Sequence, residues 1–443
     1  MNVSMEQISN LCKRRGFIFQ GSEIYGGLAG TFDYGPLGVA LKNNIKNIWW
    51  KQFVSDRTDM YGMDAAILMN QNVWKASGHV GGFNDPLTEC SNCKSRFRSD
   101  HLESDICPTC GKKGTLGEAR QFNMMLKTNI GASEDSSSIS YLRPETAQGM
   151  FVNFKNILDT FSPKLPFGMA QIGKAFRNEI APRDFIFRVR EFEQMEIEYF
   201  VDPRNEAMVN STFDALFDEQ MLFLKTLGLS ENKIHKIEVP AEDRAHYSKR
   251  SVDTEYDFLF GQKELLGLAY RTDYDLKAHT EASGASLDYF DEETKERFTP
   301  HCIEPTFGVD RLVLAVLSES YKIDGEGDDA RIYLAFPPAV APIKACVSPL
   351  VKNKPELVAK AKEVFSGLKK TFGAIAWDDN GNVGKRYRRQ DEIGTPFCVV
   401  IDFDTLGENP ESLDTVTVRD RDTGKQERVA IAELEAYIQS KLQ

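Results

Sequence analysis

Two neighbouring segments constrain this chain more than any other feature: residues 170–179 and 188–200, joined by Ile180-Ala181-Pro182-Arg183-Asp184. Both alternate in the manner of strands, whose side chains point to opposite faces in turn. In the first, Gln171, Arg177 and Glu179 share a face. In the second, Arg188, Phe192, Gln194, Glu196 and Glu198 share one face, and Val189, Met195, Ile197 and Tyr199 share the other. Pro182 and Asp184 suit the turn between them. The expected unit is an antiparallel pair displaying arginines, carboxylates and one aromatic ring on a common surface.

Such a surface has two readings. As structure alone, it is an exposed hairpin laced with cross-strand ion pairs. As chemistry, guanidinium forks suit phosphates, a flat ring beside a polar group suits adenine, and carboxylates suit an ammonium. A second segment with the same needs favours the chemical reading. Residues 301–311 read as a strand or loop, then Gly308, then the first turn of an apolar helix through 312–317. The helix dipole disfavours an arginine at that end, so Arg311 is better placed to hold an anion than to stabilise the helix.

These segments resemble the second and third signature motifs of the class II aminoacyl-tRNA synthetases. Leu142-Arg143-Pro144-Glu145-Thr146-Ala147-Gln148-Gly149 resembles a segment of the dimeric glycyl-tRNA synthetases. So do Gly21-Ser22-Glu23-Ile24-Tyr25-Gly26-Gly27 and Asp33-Tyr34-Gly35-Pro36-Leu37-Gly38. Each motif alone is weak, but together they cover almost the whole chain. The resemblance implies an α+β fold: a class II antiparallel sheet flanked by helices, a zinc-ribbon-like insertion and a C-terminal α/β anticodon-binding domain. It implies a homodimeric, ATP-dependent glycine–tRNA ligase. Glycine and ATP, with Mg²⁺, would give glycyl-adenylate and pyrophosphate, and glycine would then pass to the 3' end of tRNA(Gly).

The same resemblance assigns residues. Arg177 would hold the α-phosphate and the attacking carboxylate, and Arg311 the γ-phosphate. Asn178, Glu179, Phe187, Arg188, Val189, Arg190, Glu191 and Phe192 would contact ATP, with Phe192 stacked on adenine. Glu264, Leu265, Gly308, Val309 and Asp310 would join them, Glu264 towards Mg²⁺. Glycine would meet Arg98, Glu145, Phe192, Glu193, Gln194, Met195, Glu196, Glu304, Pro305 and Thr306. A hydrophobic pocket discriminates one methylene by only about 1–3 kcal/mol, whereas a crowded acidic pocket grips the ammonium and leaves no room at Cα. Glu145, Glu196 and Glu304 would repel one another unless a cation sat between them. Thr306 stands where many relatives carry Ser, and keeps the hydroxyl. No nucleophile motif stands out, which fits a reaction needing alignment and charge stabilisation.

Cys90-x2-Cys93 and Cys107-x2-Cys110 lie 13 residues apart inside an insertion at 84–120. Four thiolates at this spacing suit one tetrahedral Zn²⁺. An all-cysteine site is closed, hence structural. Arg98 lies between the knuckles in Phe97-Arg98-Ser99-Asp100, the segment that reaches substrate in the family; a solvated ribbon residue is the alternative.

At 443 residues the chain suggests two or three domains. We expect a catalytic domain over 1–335 and an anticodon-binding domain over 336–443, divided near Ala335-Phe336-Pro337-Pro338. Residues 37–54 read as an amphipathic helix with Leu41, Ile45, Ile48, Trp49 and Phe53 on its apolar face. That helix is either the family's dimer-interface helix or a core-packing one. Residues 265–275 read as a strand, and 133–138 and 324–329 as loops. Beyond 343 come strands, a helix over 355–372, a basic helix over 383–390, a hairpin turning at 422–425 and a closing helix over 432–442. Lys385, Arg386, Arg388 and Arg389 are the expected tRNA contacts, against the alternative of a solvated helix face.

Charge agrees permissively. The chain carries −12 overall. Residues 344–443 hold 16 basic and 16 acidic side chains, so a polyanion meets less repulsion there. No stretch nears the roughly 20 apolar residues of a membrane span, the first residues lack a signal-peptide layout, and eight cysteines do not suggest a disulfide framework. The expectation is a cytoplasmic protein with no membrane partner. A catalytically silent relative would have lost the phosphate arginines, which are present. A threonyl enzyme would need a zinc with an open position, which the all-cysteine ribbon does not offer.

Overall fold

A central sheet holds β1 (Met60–Met63), β2 (Phe167–Phe176), β3 (Glu191–Val201), β4 (Ile234–Glu238), β5 (Arg250–Phe258), β6 (Gly261–Thr272) and β7 (His301–Gly308). The structure is a computed structural model that describes residues 3–132, 138–327 and 330–442. Of the loop expected at 133–138, only Ser138 lies among them; Asp328 and Asp329 of the acidic segment also lie outside. The spatial order is β4-β5-β6-β7-β3-β2-β1. Neighbours are antiparallel except β1 and β2, which run parallel.

One face of this sheet carries the main core. The helices α1 (Pro36–Trp50), α2 (Glu206–Thr226) and α4 (Val309–Ser320) pack there; α3 (Tyr274–Ser283) does not. Trp49 and Phe53 from the α1 segment and Phe223 from α2 surround Phe307 of β7 at ring distances of 5.8, 5.2 and 5.6 Å. The apolar face expected for residues 37–54 is therefore buried within its own chain. Helix geometry changes at Lys51, where the α-helix passes into a π turn over Lys51–Ser55.

Alternation then decides what the opposite face presents. Met195, Ile197, Leu266, Leu268, Ile303 and Phe307 point into the core. Their neighbours Gln194, Glu196, Gly267, Glu304 and Thr306 point the other way and line an open hollow. Register brings them together: Glu196 pairs with Thr306, Gly267 with Thr306, and Ala269 with Glu304.

Two sequence expectations need correction here. The strand expected over 170–179 ends at Phe176, and its partner begins at Glu191 rather than 188. The tip lies beyond 180–184: Asp184 and Phe185 take left-handed backbone, and Arg183 pairs back with Arg188. Ile186 and Phe187 are buried, so apolar burial folds the connection inward. The strand expected over 265–275 stops at Thr272, whose φ of 58° breaks it, and Tyr274 and Asp275 open α3.

Residues Asn84–Glu89, Arg96–Arg98 and Arg120–Asn123 form a small separate sheet that frames the cysteines. A five-stranded sheet follows, in the order Ile375–Trp377, Ala345–Pro349, Phe397–Ile401, Thr415–Asp420, Gln426–Ala430. Pro355–Phe372 and Leu434–Lys441 close its apolar core. Asp391 ties this sheet to the preceding unit, accepting from Arg331 at 2.8 Å and from Arg419 at 2.9 Å.

Candidate active site

The open face of the central sheet holds two adjoining chambers. The first is lined by Arg177, Glu179, Phe187, Arg188, Val189, Phe192, Glu193, Glu264, Leu265, Gly308, Asp310 and Arg311, all named from sequence, and also by Ile186, which was not. The second is lined by Glu145, Gln194, Glu196, Glu304 and Thr306, all named from sequence, together with residues that were not, among them Tyr247, Ser251 and Asp253. Arg177, Gln194, Glu264, Gly267 and Thr306 border both. Residues expected to hold phosphate and residues expected to hold an ammonium thus sort into separate compartments, with an arginine on the boundary.

In the first chamber the Arg177 and Arg311 guanidiniums are held by aromatic rings, a backbone carbonyl and one carboxylate. The Arg177 guanidinium lies between Phe83 and Phe192, 5.4 and 5.3 Å from their ring centres. Its Nε donates to the Pro144 carbonyl at 3.1 Å. Arg311 lies over Phe187 at 4.4 Å, with Nη1 3.1 Å from Glu264 Oε2. Burial lowers Arg188, and Arg183, Arg98 and Arg311 press the same way against the pull of Glu179. A cluster of arginines that repel one another is a site prepared for a polyanion. Asp253, which sequence reasoning missed, lines the second chamber. Burial first, then the Glu264 and Glu255 charges, push its carboxyl up to about 6. Two like charges and the phosphate oxygens expected beside them suit a hard divalent cation such as Mg²⁺.

In the second chamber the three glutamates converge. Glu196 Oε2 accepts from the Thr146 backbone N–H at 3.0 Å and from the Thr146 hydroxyl, and Oε1 accepts from Thr306 Oγ1 at 3.2 Å. Burial raises Glu196, and Glu145 adds to the rise. Glu304 is pushed well up by burial and by Glu196 and Glu145, against Arg271. Glu145 would also rise through burial, but His79, 3.6 Å away, and Arg271 hold it below the ordinary range. Its Oε1 is buried with no protein partner among the described residues, as is Gln194 Oε1. Buried acceptors without donors are rare, and an ammonium would satisfy both.

Behind this cluster lies Arg271, also missed from sequence. It is 2% exposed and donates to Glu304 at 2.7 Å and to both oxygens of Asp275 at 2.8 Å. The Tyr247 ring lies 3.9 Å from it and roofs the chamber. A buried guanidinium between two carboxylates holds the wall rigid. The one usable signal was Arg271 with Asp273 and Asp275, a charged cluster closing the apolar run at 265–270.

Several assigned residues turn away. Glu191, Glu193 and Met195 alternate to the far side of β3. Glu191 pairs with Lys174 at 2.7 Å, Glu193 with Lys42 and Lys46 at 2.9 Å, and Met195 is fully buried in the core. Pro305 lies on the buried side of β7 for the same reason, and Val309, the first residue of α4, is buried in the main core. Asp310 accepts from the Glu193 N–H at 2.8 Å and from Tyr34, so it braces the site rather than lining it with a free carboxylate. Arg190 donates to the Glu179 and Ala29 carbonyls, clamping the 177–190 loop to residues 21–31. The Asn178 N–H donates to Met124. Arg98 lines neither chamber and pairs with Asp85 at 2.9 Å and Asp100 at 2.6 Å.

The four cysteines meet. All their sulfurs lie within 4.8 Å of one another, with Cys90–Cys110 at 3.8 Å and Cys93–Cys107 at 3.6 Å. A tetrahedron with Zn–S bonds of roughly 2.3 Å has sulfurs ~3.8 Å apart, so the cluster fits a single metal. Each knuckle ends in a left-handed residue, Lys94 and Gly111, which turns the second sulfur back towards the first.

The basic helix α5 (Val383–Glu392) divides. Lys385 and Arg388 are exposed. Arg389 pairs with Asp378 at 2.8 Å. Arg386, expected to meet tRNA, is buried, its guanidinium donating to the Pro349, Asp379 and Gly381 carbonyls. That position is corrected to a structural one: a buried guanidinium must find acceptors, and three carbonyls supply them.

Residues 132–320 match the family described as tRNA synthetase class II core domain (G, H, P, S and T), and residues 344–441 match the anticodon binding domain. A prolyl-tRNA synthetase structure from Cryptosporidium parvum, complexed with halofuginone and AMPPNP, superposes with a TM-score of 0.68. It covers 99% of this chain and 75% of its own at 15% identity, a likeness of fold alone. Fold and site therefore define a class II tRNA synthetase. The glycine–tRNA ligase of Clostridium acetobutylicum is 49% identical, covering 99% of each chain. That of Streptomyces coelicolor is 48% identical, covering 99% of this chain and 98% of its own. This chain belongs to the glycine–tRNA ligase family.

Proposed function

We propose that this chain activates glycine with ATP and transfers it to tRNA(Gly), its catalytic unit spanning 1–335 and its anticodon-binding unit 336–443. The observation that carries the reading is the sorting of the site into an arginine chamber and a glutamate chamber with Arg177 on their border. ATP lies in the first, adenine on Phe192 and the terminal phosphate at Arg311. Glycine lies in the second, its ammonium among Glu145, Glu196 and Glu304. Its carboxylate then faces the α-phosphate beside Arg177, which steadies the charge as the new bond forms and pyrophosphate leaves. The protein supplies alignment and preorganised charge and no covalent nucleophile.

Glu264 and Asp253 would hold Mg²⁺, which screens the phosphate charges when bound. Cys90, Cys93, Cys107 and Cys110 would hold a structural Zn²⁺. Lys385 and Arg388 would meet tRNA phosphates. The chain would work as a homodimer; Ile24 and Tyr25, 90% and 87% exposed, support this as apolar surface left to cover. Charging of a tRNA(Gly) transcript with labelled glycine tests the proposal. Charging with glycine is expected; charging only with another amino acid would overturn it.

A further inference from the structure

Directly beneath the arginine chamber, whose lining includes Glu193 and Asp310, four side chains from separate segments meet. Lys42 of α1 is 7% exposed, and its Nζ lies 2.9 Å from Glu193 Oε2 and 3.4 Å from Asp310 Oδ1. Asp310 Oδ1 also accepts from the Tyr34 hydroxyl at 2.5 Å, and Oδ2 accepts from the Glu193 backbone N–H at 2.8 Å. The Lys42 ammonium sits 4.3 Å from the Tyr34 ring centre. Lys46 takes the other oxygen of Glu193 at 2.9 Å.

The sequence positions give this cluster its meaning. Glu193 follows Phe192, the expected adenine platform. Asp310 precedes Arg311, the expected γ-phosphate residue. Two half-buried to buried carboxylates at one place require a cation between them, and removing that cation leaves charge uncompensated. Burial works against the Lys42 charge, and Asp310 and Glu193 more than offset it. A pair needed only for stability could be replaced by apolar side chains; this one joins the two elements whose spacing an ATP molecule has to match.

We infer that Lys42 is a positioning residue for the nucleotide: it locks Glu193 of β3 to Asp310 of α4 and so fixes the distance between Phe192 and Arg311. This rests on the synthetase reading above. ATP is varied at saturating glycine in pyrophosphate exchange by the full chain. Lys42→Met should raise the KM for ATP about tenfold, since small misplacements are costly in aligned sites, with kcat and the KM for glycine within about twofold. Lys42→Arg should restore it. In an Arg311→Ala background, Lys42→Met should change the KM for ATP by less than about twofold, because no arginine remains to be placed.

An unchanged KM for ATP in folded Lys42→Met would overturn the inference. So would an equal rise in the Arg311→Ala background. Should Lys42→Met not fold, Tyr34→Phe, which deletes only the hydroxyl bond to Asp310, is carried through the same cycle: coupling to Arg311 supports the inference and additivity overturns it. If the unmodified chain shows no glycine-dependent exchange, the synthetase reading fails instead.

Discussion

Arg177 holds its guanidinium 5.3 Å from the centre of the Phe192 ring, on the border between the two chambers. A group there can reach both reacting partners. Arg177→Lys keeps the charge and loses the fork. The expected outcome is a fall in the kcat of pyrophosphate exchange of roughly a hundredfold, the scale of deleting one transition-state donor, with an unaltered melting curve. A kcat within about threefold of the unmodified chain would remove Arg177 from the reacting centre.

Glu196 accepts from Thr146 and Thr306, which hold both its oxygens in place and leave acceptor capacity for an ammonium. Glu196→Gln removes the charge and keeps the shape. One charge-assisted hydrogen bond is worth roughly 1.5–3 kcal/mol, so the KM for glycine should rise at least about tenfold while the KM for ATP holds. Unchanged glycine dependence would place Glu196 outside the pocket.

Glycine binding should depend on pH. Burial and neighbouring carboxylates raise Glu304 and Glu196, and an ammonium needs them ionised. The KM for glycine should therefore climb as pH falls through their raised values. The KM for ATP should stay flat until Asp253 titrates near 6. Stability has the matching sign: a carboxyl raised on folding stabilises below its unfolded value, and that is lost as pH rises through the folded one. Glycine should thus raise Tm more at alkaline than at acid pH. Glu145, held down to about 2, acts oppositely: its stabilisation is present above the ordinary carboxylate range and is lost as pH falls from there towards 2. A glycine-induced Tm shift that does not vary with pH would contradict the convergence of the three carboxylates.

Metal analysis should find one zinc per chain. Chelation should expose amides in 84–120 to hydrogen exchange and leave 345–430 protected, because a metal site of this kind supplies much of its small unit's folding energy. Full protection of 84–120 after metal removal would mean that the three short strands hold the ribbon alone.

The basic helix should respond in two ways. Lys385→Ala with Arg388→Ala should raise the KM for tRNA, weaken its salt dependence and leave pyrophosphate exchange intact. Arg386→Ala should lower stability by about 1–3 kcal/mol, the penalty of buried carbonyls left without donors. Equal effects of both on tRNA binding, without loss of stability, would restore Arg386 to the interface.

Strand alternation made Phe192, Gln194 and Glu196 legible as one face, and the Gly308 boundary made α4 legible as the carrier of Arg311. Treating 187–196 as a continuous binding run misplaced Glu191 and Met195 and misdirected the Glu193 carboxylate, since a strand offers only every second side chain to one face. The hairpin tip was misjudged because Ile186 and Phe187 are drawn into tertiary packing that local turn signals do not register. Arg271 and Asp253 were not legible because their partners, Glu304 for one and Glu264 for the other, come from different strands and meet only through sheet register. Arg386 read as a surface charge because helix periodicity does not report that the Pro349 carbonyl waits beneath it.

The most direct test is amino-acid-dependent ATP–pyrophosphate exchange by the full chain with Mg²⁺, run separately with each standard amino acid and without tRNA. Exchange is expected with glycine and with no other. Exchange with alanine or serine at a rate comparable to glycine would contradict glycine as the amino acid that Glu145, Glu196 and Glu304 select.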